Sequence, residues 1–181
     1  GYSSDRLFKY LASLYSQKKL YHIAYKYYLK VFSDDISDSA FLLEFADVCV
    51  KTGKLDMSEK LITSAALATI DSPLKRRIEN EIHRSKAVQY YENSQYDAAL
   101  KEFDRVIEDS TVAYYKGLIY YNKSDFTPAK WFFEKSGAVD AARFIGFCEY
   151  RVGRIKSAYG LLKNYLTDSA ALDYIYEIVR I

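Results

Sequence analysis

The sequence predicts an all-α fold of about five antiparallel helical hairpins stacked in series, with one further helix at the C-terminus. Three observations carry this. A small residue followed twelve positions later by Ala or Ser recurs five times, at Ala12/Ala24, Ala46/Ser58, Ala87/Ala99, Gly117/Ala129 and Gly146/Ala158; minimal side chains are what two helices need where their axes approach most closely. The first two copies start at residues 12 and 46, 34 residues apart, a period typical of stacked hairpins. Apolar residues recur at helical spacing, as in Leu7, Leu11, Leu14 and Tyr15, and no strand-like alternation competes.

Taken in order, the first pair is expected at about 5–17 and 20–33, and the second at 38–52 and 55–69, joined by Thr52-Gly53-Lys54. The third, 73–93 and 96–108, starts at Pro73, whose missing N–H costs nothing in a first helical turn. Its small residue follows the previous one by 41 positions, seven more than the first interval. Seven residues make about two turns, so Pro73 to Asn93 reads as an extended helix. The fourth pair, 110–122 and 126–136, holds Pro128 near the start of its second helix. The fifth spans 139–151 and 154–166. Intervals of 30 and 29 residues predict tight joints here and a change of curvature near Ser110. Short turns such as Asn93-Ser94-Gln95, Lys123-Ser124-Asp125 and Val152-Gly153-Arg154 force antiparallel neighbours.

The last helix, from about 168, carries Ala171, Leu172, Ile175, Ile178, Val179 and Ile181. A terminal element normally turns a polar face outward, so a further repeat or another chain is expected to cover this one. We read residues 1–181 as a single domain with repeats at about 5–38, 39–72, 73–109, 110–138 and 139–167 and an extra helix at 168–181. Because it begins with Gly1 rather than Met, we expect a segment of a longer protein.

These residues resemble the tetratricopeptide repeat (TPR). Repeat one matches through Phe8, Leu11, Ala12, Tyr15, Tyr21, Ala24, Tyr28 and Val31; repeat two through Leu42, Phe45, Ala46, Gly53, Leu55, Ile62 and Ala65, with Ser58 for the usual Ala. Repeat three offers Ala87, Tyr90, Tyr96, Ala99, Phe103 and Val106; repeat four Gly117, Tyr120, Phe126, Ala129 and Phe133; repeat five Gly146, Gly153, Ile155, Ala158 and Leu162. Lys86 and Lys116 replace an expected Leu, Glu149 replaces an aromatic, and the closing proline is missing or displaced.

The resemblance implies a right-handed α-solenoid whose first helices line a concave groove. Its groove-facing positions fall on Lys9, Tyr10, Arg84, Tyr91, Tyr114, Tyr115, Tyr121, Arg143, Phe144, Phe147, Tyr150 and Arg151. Tyr and Arg dominate interaction hot spots because each combines large contact area with directed hydrogen bonds. The implied function is a non-catalytic scaffold or adaptor that binds a peptide or a partner helix. The alternative is an assembly subunit docking through its ends or convex face, with Leu172, Ile175, Ile178 and Val179 as the end-on contact and self-association as one form of it. The Lys and Asn pattern with which some members clamp acidic chaperone tails is not completed beyond Lys9.

Composition limits the other classes. The net charge of +2 argues against a nucleic-acid partner, and the basic run Lys75-Arg76-Arg77 alternates with Glu79 and Glu81 at ion-pairing distance along a helix. No apolar stretch approaches the roughly 20 residues of a membrane span. His22 and His83 lack neighbours at metal-binding spacing, and no nucleophile or phosphate-loop motif occurs, so no catalytic residue, metal or cofactor is assigned. Cys49 and Cys148 are expected as free thiols, which favours a reducing compartment such as the cytoplasm.

Overall fold

The computed structural model describes residues 2–180, with side chains from Ser4 onward; Gly1 and Ile181 lie outside the described residues. The helices are α1 (Tyr2–Gln17), α2 (Tyr21–Val31), α3 (Ser39–Lys51), α4 (Leu55–Ile62), α5 (Ala65–Ala68), α6 (Pro73–Glu92), α7 (Tyr96–Phe103), α8 (Ser110–Asn122), α9 (Phe126–Ser136), α10 (Ala141–Arg151), α11 (Ile155–Leu162) and α12 (Ser169–Val179). No strand occurs among the described residues. The expected hairpins are α1/α2, α3/α4, α6/α7, α8/α9 and α10/α11, and α12 packs on α10 and α11.

The chain divides into two compact units, the first running to Lys86 and the second starting at Ala87, so the boundary falls inside α6. In the first unit Tyr28, 1 % exposed, stacks on Phe45 with ring centroids 5.1 Å apart and donates its hydroxyl to Glu44 at 2.8 Å. Leu42, Leu61, Leu67, Ile78 and Ile82 close the same core. In the second unit Phe103, Phe133 and Leu162 are the buried anchors of three successive clusters.

The repeated small residues sit where hairpins close. Ala12, Ala24, Ala46, Ser58, Ala87, Ala99, Ala129 and Ala158 are all fully buried. At the two glycines the fit is tighter still. A Cβ on Gly117 would stand 2.7 Å from the Phe133 ring, and one on Gly146 would stand 2.6 Å from Leu162. Ser58 keeps its place by donating its hydroxyl to the Ala46 carbonyl at 2.9 Å, which satisfies the polar atom that burial would otherwise penalise.

All five hairpins turn in the same way. Lys19, Gly53, Ser94, Ser124 and Gly153 each adopt positive φ, between 59° and 80°, seven positions after the small residue of the first helix. The next N–H then reaches back five residues, as Leu20 to Tyr15, Lys54 to Cys49, Gln95 to Tyr90, Asp125 to Tyr120 and Arg154 to Glu149, at 2.8 to 2.9 Å. This is the backbone closure that a left-handed residue permits at a helix C-terminus. Two first helices and α12 start alike: Asp38, Asp109 and Asp168 accept the N–H of Phe41, Val112 and Ala171, a side-chain cap for an otherwise orphaned donor.

Several second helices are shorter than expected. The span predicted at 55–69 breaks into α4 and the single turn α5, because the Thr63 hydroxyl donates to the Glu59 carbonyl at 2.8 Å and Ser64 turns extended. α5 then places Leu67 in the core. α7 stops at Phe103 and α11 at Leu162, although Val106 beyond α7 remains buried.

The charged residues at apolar positions are each paired. Lys86 meets Glu59 at 2.6 Å. Lys116, 7 % exposed, meets Asp104 at 2.8 Å and Glu108 at 3.5 Å, and its ammonium lies 5.6 Å from the Phe132 ring centroid. Glu149, 2 % exposed, meets Lys130 at 2.5 Å and Arg154 at 3.2 Å. Burial raises the Glu149 pKa, but the two cations outweigh it and hold the group below the usual carboxylate range. Cys49 and Cys148 are free and buried, with both thiols pushed up to about 12 by desolvation.

Candidate protein-interaction site

Lys9, Tyr10 and Arg84 belong to the first unit. Lys9 bonds Asp38 at 3.1 Å and lies over Phe41, Tyr10 is exposed, and Arg84 is half-buried on α6. The remaining groove candidates lie in the second unit, on the end of α6 and on α8 and α10.

There the aromatic residues form linked contacts. Tyr91 meets Tyr96 and, edge to face at 5.5 Å, Tyr115, which stacks on Phe103. Tyr114 and Tyr121, about two turns apart on α8, both meet Phe144 edge to face, at 6.2 and 5.6 Å. Edge-to-face pairs set ring orientation as well as burying area. All of these tyrosines are half-buried. Burial raises the phenol pKa of Tyr91, Tyr114 and Tyr121, and a hydrogen bond with Tyr174 raises that of Tyr121 further.

Phe147 is a correction. It is only 4 % exposed, stacked on Tyr174 of α12 at 4.8 Å, and packs with Leu162 and Ala171 in the core. A large apolar ring on a first helix satisfies a groove pattern in sequence, yet α12 covers it here.

Three partners on α12 and its cap were not singled out from sequence. Asp168 caps α12 through Ala171 and also bonds Arg143; the N–H of Ala171 first, then Arg143, hold its pKa below the usual range. Arg143 also lies over Phe144 at 5.0 Å. Tyr150 donates to Glu177 at 2.6 Å, which raises the phenol pKa, and Arg151 donates to the Tyr174 hydroxyl at 3.2 Å while lying over Phe126. Tyr150, Arg151, Asp173, Tyr174 and Glu177 thereby line a small cleft of about 130 Å³. An Asp followed by a small-residue run into an apolar helix is an N-cap signal that could have flagged Asp168.

The end-on candidates separate. Ile175 turns inward onto the Phe147 cluster, Leu172 and Ile178 are half-buried, and Val179 is 70 % exposed. His22 is exposed and His83 half-buried. Among the described residues no group of three or more His, Cys, Asp or Glu side chains is placed to hold a metal ion, and no helix is long and apolar enough to cross a membrane.

No family model matches the sequence, and no curated protein matches it significantly. Solved structures do resemble the fold. MamA of strain AMB-1 superposes with TM-score 0.62 at 19 % identity, over 93 % of this chain and 94 % of that one. MamA from Desulfovibrio magneticus RS-1 gives 0.55 at 14 % identity over 96 % of both chains. PilF of Pseudomonas aeruginosa gives 0.52 at 17 % identity over 98 % of this chain and 84 % of that one. Both comparison proteins are TPR-repeat proteins. The fold of this chain is accordingly an all-α, TPR-like array of helical hairpins.

Proposed function

We propose that the protein is a non-catalytic interaction scaffold that binds a peptide or partner helix through residues of α8, α10 and α12. The observation that carries this reading is the clamp of Tyr150 to Glu177 and of Arg151 to Tyr174 around an open cleft. Both anchors are held by neighbours before any ligand arrives. Fixed side chains lose less conformational entropy on binding, so more of the contact energy appears as affinity. The linked rings of Tyr114, Tyr121, Phe144 and Phe147 provide the rigid footing under them. The TPR-like fold is consistent with a protein partner.

The test is selection of binders to the whole chain from a displayed peptide library, followed by affinity measurement against the Tyr150→Ala/Arg151→Ala double variant. Loss of at least tenfold in affinity, with helical circular dichroism retained, is the expected result. Undiminished affinity for every selected peptide overturns the reading.

A further inference from the structure

α12 separates two clefts of opposite character. On one side lies the polar cleft of Tyr150, Arg151, Asp173, Tyr174 and Glu177. On the other lies an open apolar cleft of about 380 Å³, walled by Ile155, Lys156 and Tyr159 of α11 and by Ile178 and Val179 of α12. Tyr159 is 44 % and Val179 70 % exposed. Ile155 and Tyr159 stand one helical turn apart, so the wall runs along the α11 axis, the shape that accepts the apolar stripe of a helix laid in a groove.

The α11 wall of this cleft is basic, and the acidic residues of α12, Asp173 and Glu177, line the other cleft. From Arg151 to Thr167 the chain carries Arg151, Arg154, Lys156 and Lys163 and no acidic residue, in a protein whose overall charge is close to balance. Arg154 is engaged with Glu149 and Arg151 with Tyr174. Lys156 and Lys163 are exposed and form no ion pair among the described residues. Gly160, between them, has open space where a side chain would project.

Register distinguishes the occupant from another hairpin of the same kind. Asp38 and Asp109 cap their helices eight residues before Ala46 and Gly117, the small residues against which a second helix closes; Asp168 caps α12 eight residues before Tyr176, which is 68 % exposed. A tyrosine there denies a second helix the close approach used inside the array. A second copy docking through α1 is disfavoured by charge, since the exposed Leu7 and Tyr10 are flanked by Arg6 and Lys9, and one docking through its own α11/α12 cleft would set Lys156 and Lys163 against the same basic wall.

We propose that the α11/α12 cleft is a second docking site, separate from the Tyr150/Arg151 cleft, for an acidic amphipathic helix of another protein. Its apolar stripe lies on Ile155, Tyr159, Ile178 and Val179, and its carboxylates face Lys156 and Lys163.

The test uses fluorescence anisotropy with the whole chain and a labelled peptide of about 18 residues, roughly five helical turns, carrying a Leu stripe flanked by Glu. A matched peptide has Lys in place of Glu. The Glu peptide is expected to bind at least tenfold more tightly than the Lys peptide. Val179→Asp, at a site exposed enough to leave the fold intact, should weaken it at least tenfold, and Lys156→Glu/Lys163→Glu should reverse the preference. Tyr150→Ala should leave it unchanged, which separates failure here from failure of the other cleft. No binding, equal binding of both peptides, or insensitivity to Val179→Asp overturns the proposal. So does concentration-dependent dimerisation in sedimentation velocity that Val179→Asp abolishes, which would assign the cleft to a second copy.

Discussion

The Ser58 hydroxyl donates to the Ala46 carbonyl across the closed contact of α3 and α4, with both residues fully buried. Ser58→Ala removes the donor but leaves no polar atom stranded on the side chain, so a loss of about 1 kcal/mol is expected. Ser58→Val also widens the contact and should cost about 1–3 kcal/mol more from overpacking. Urea denaturation of the two variants checks the order.

Gly117 and Gly146 admit no side chain without movement of Phe133 or Leu162. Gly117→Ala gains helix propensity of about 1 kcal/mol yet must displace a buried ring, which costs about 1–3 kcal/mol. A net loss of stability is expected. An increase in Tm on Gly117→Ala would show that the hairpin relaxes freely there.

The five turns have unequal chemistry in the same backbone conformation. Ser94 and Ser124 occupy positive φ without glycine, at a cost of about 1 kcal/mol. Ser94→Gly and Ser124→Gly should therefore each stabilise by up to about 0.5 kcal/mol after the extra freedom glycine gives the unfolded chain. Gly153→Ala should destabilise by a similar amount. Thermal melts of the three single variants test both signs.

Glu149 is a buried carboxylate held by two cations. Lys130→Met leaves Arg154 to neutralise it, and a loss of about 1–3 kcal/mol is expected, below that of a fully stranded buried charge. Glu149→Leu removes the charge itself and frees two partly exposed cations to water, so its cost should be smaller. Denaturant midpoints for both, compared with wild type, decide the order.

Acid should loosen the fold through the carboxylates held low in the native state: Glu149, Glu108, Asp168 and Asp38. Each has a folded pKa below its unfolded value, so the unfolded chain binds more protons in acid. Their contribution is fully present above the ordinary carboxylate range and is lost as pH falls through the depressed folded values. Tm should stay level from neutral pH down to about 5 and then drop, with a shallower drop for Glu149→Leu. A Tm independent of pH down to 3 would contradict this.

Much of the fold was legible because its wedges are compositional. A small side chain at the crossing leaves a trace in sequence, and Ala12/Ala24, Ala87/Ala99 and the glycine pairs are buried at their hairpins. The turn conformation was hidden at Lys19, Ser94 and Ser124, where tertiary packing imposes a left-handed residue that no glycine announces. The break after Ile62 was hidden for another reason: the Thr63 hydroxyl bonds back to the Glu59 carbonyl and Ser64 turns extended, neither of which composition reveals. At the candidate site, Tyr150 and Arg151 were found by type and position, whereas the burial of Phe147 depends on α12 and on the double role of Asp168. Such long-range ties have no periodic signature.

The constant seven-residue interval from each small residue to its left-handed turn, set against hairpin spacings of 34, 41, 30 and 29 residues, makes every hairpin a self-closing cassette. Length drift between repeats is taken up outside the bend, in the joints and in the long leading part of α6, so the chain can gain or lose residues there while each bend keeps its own geometry.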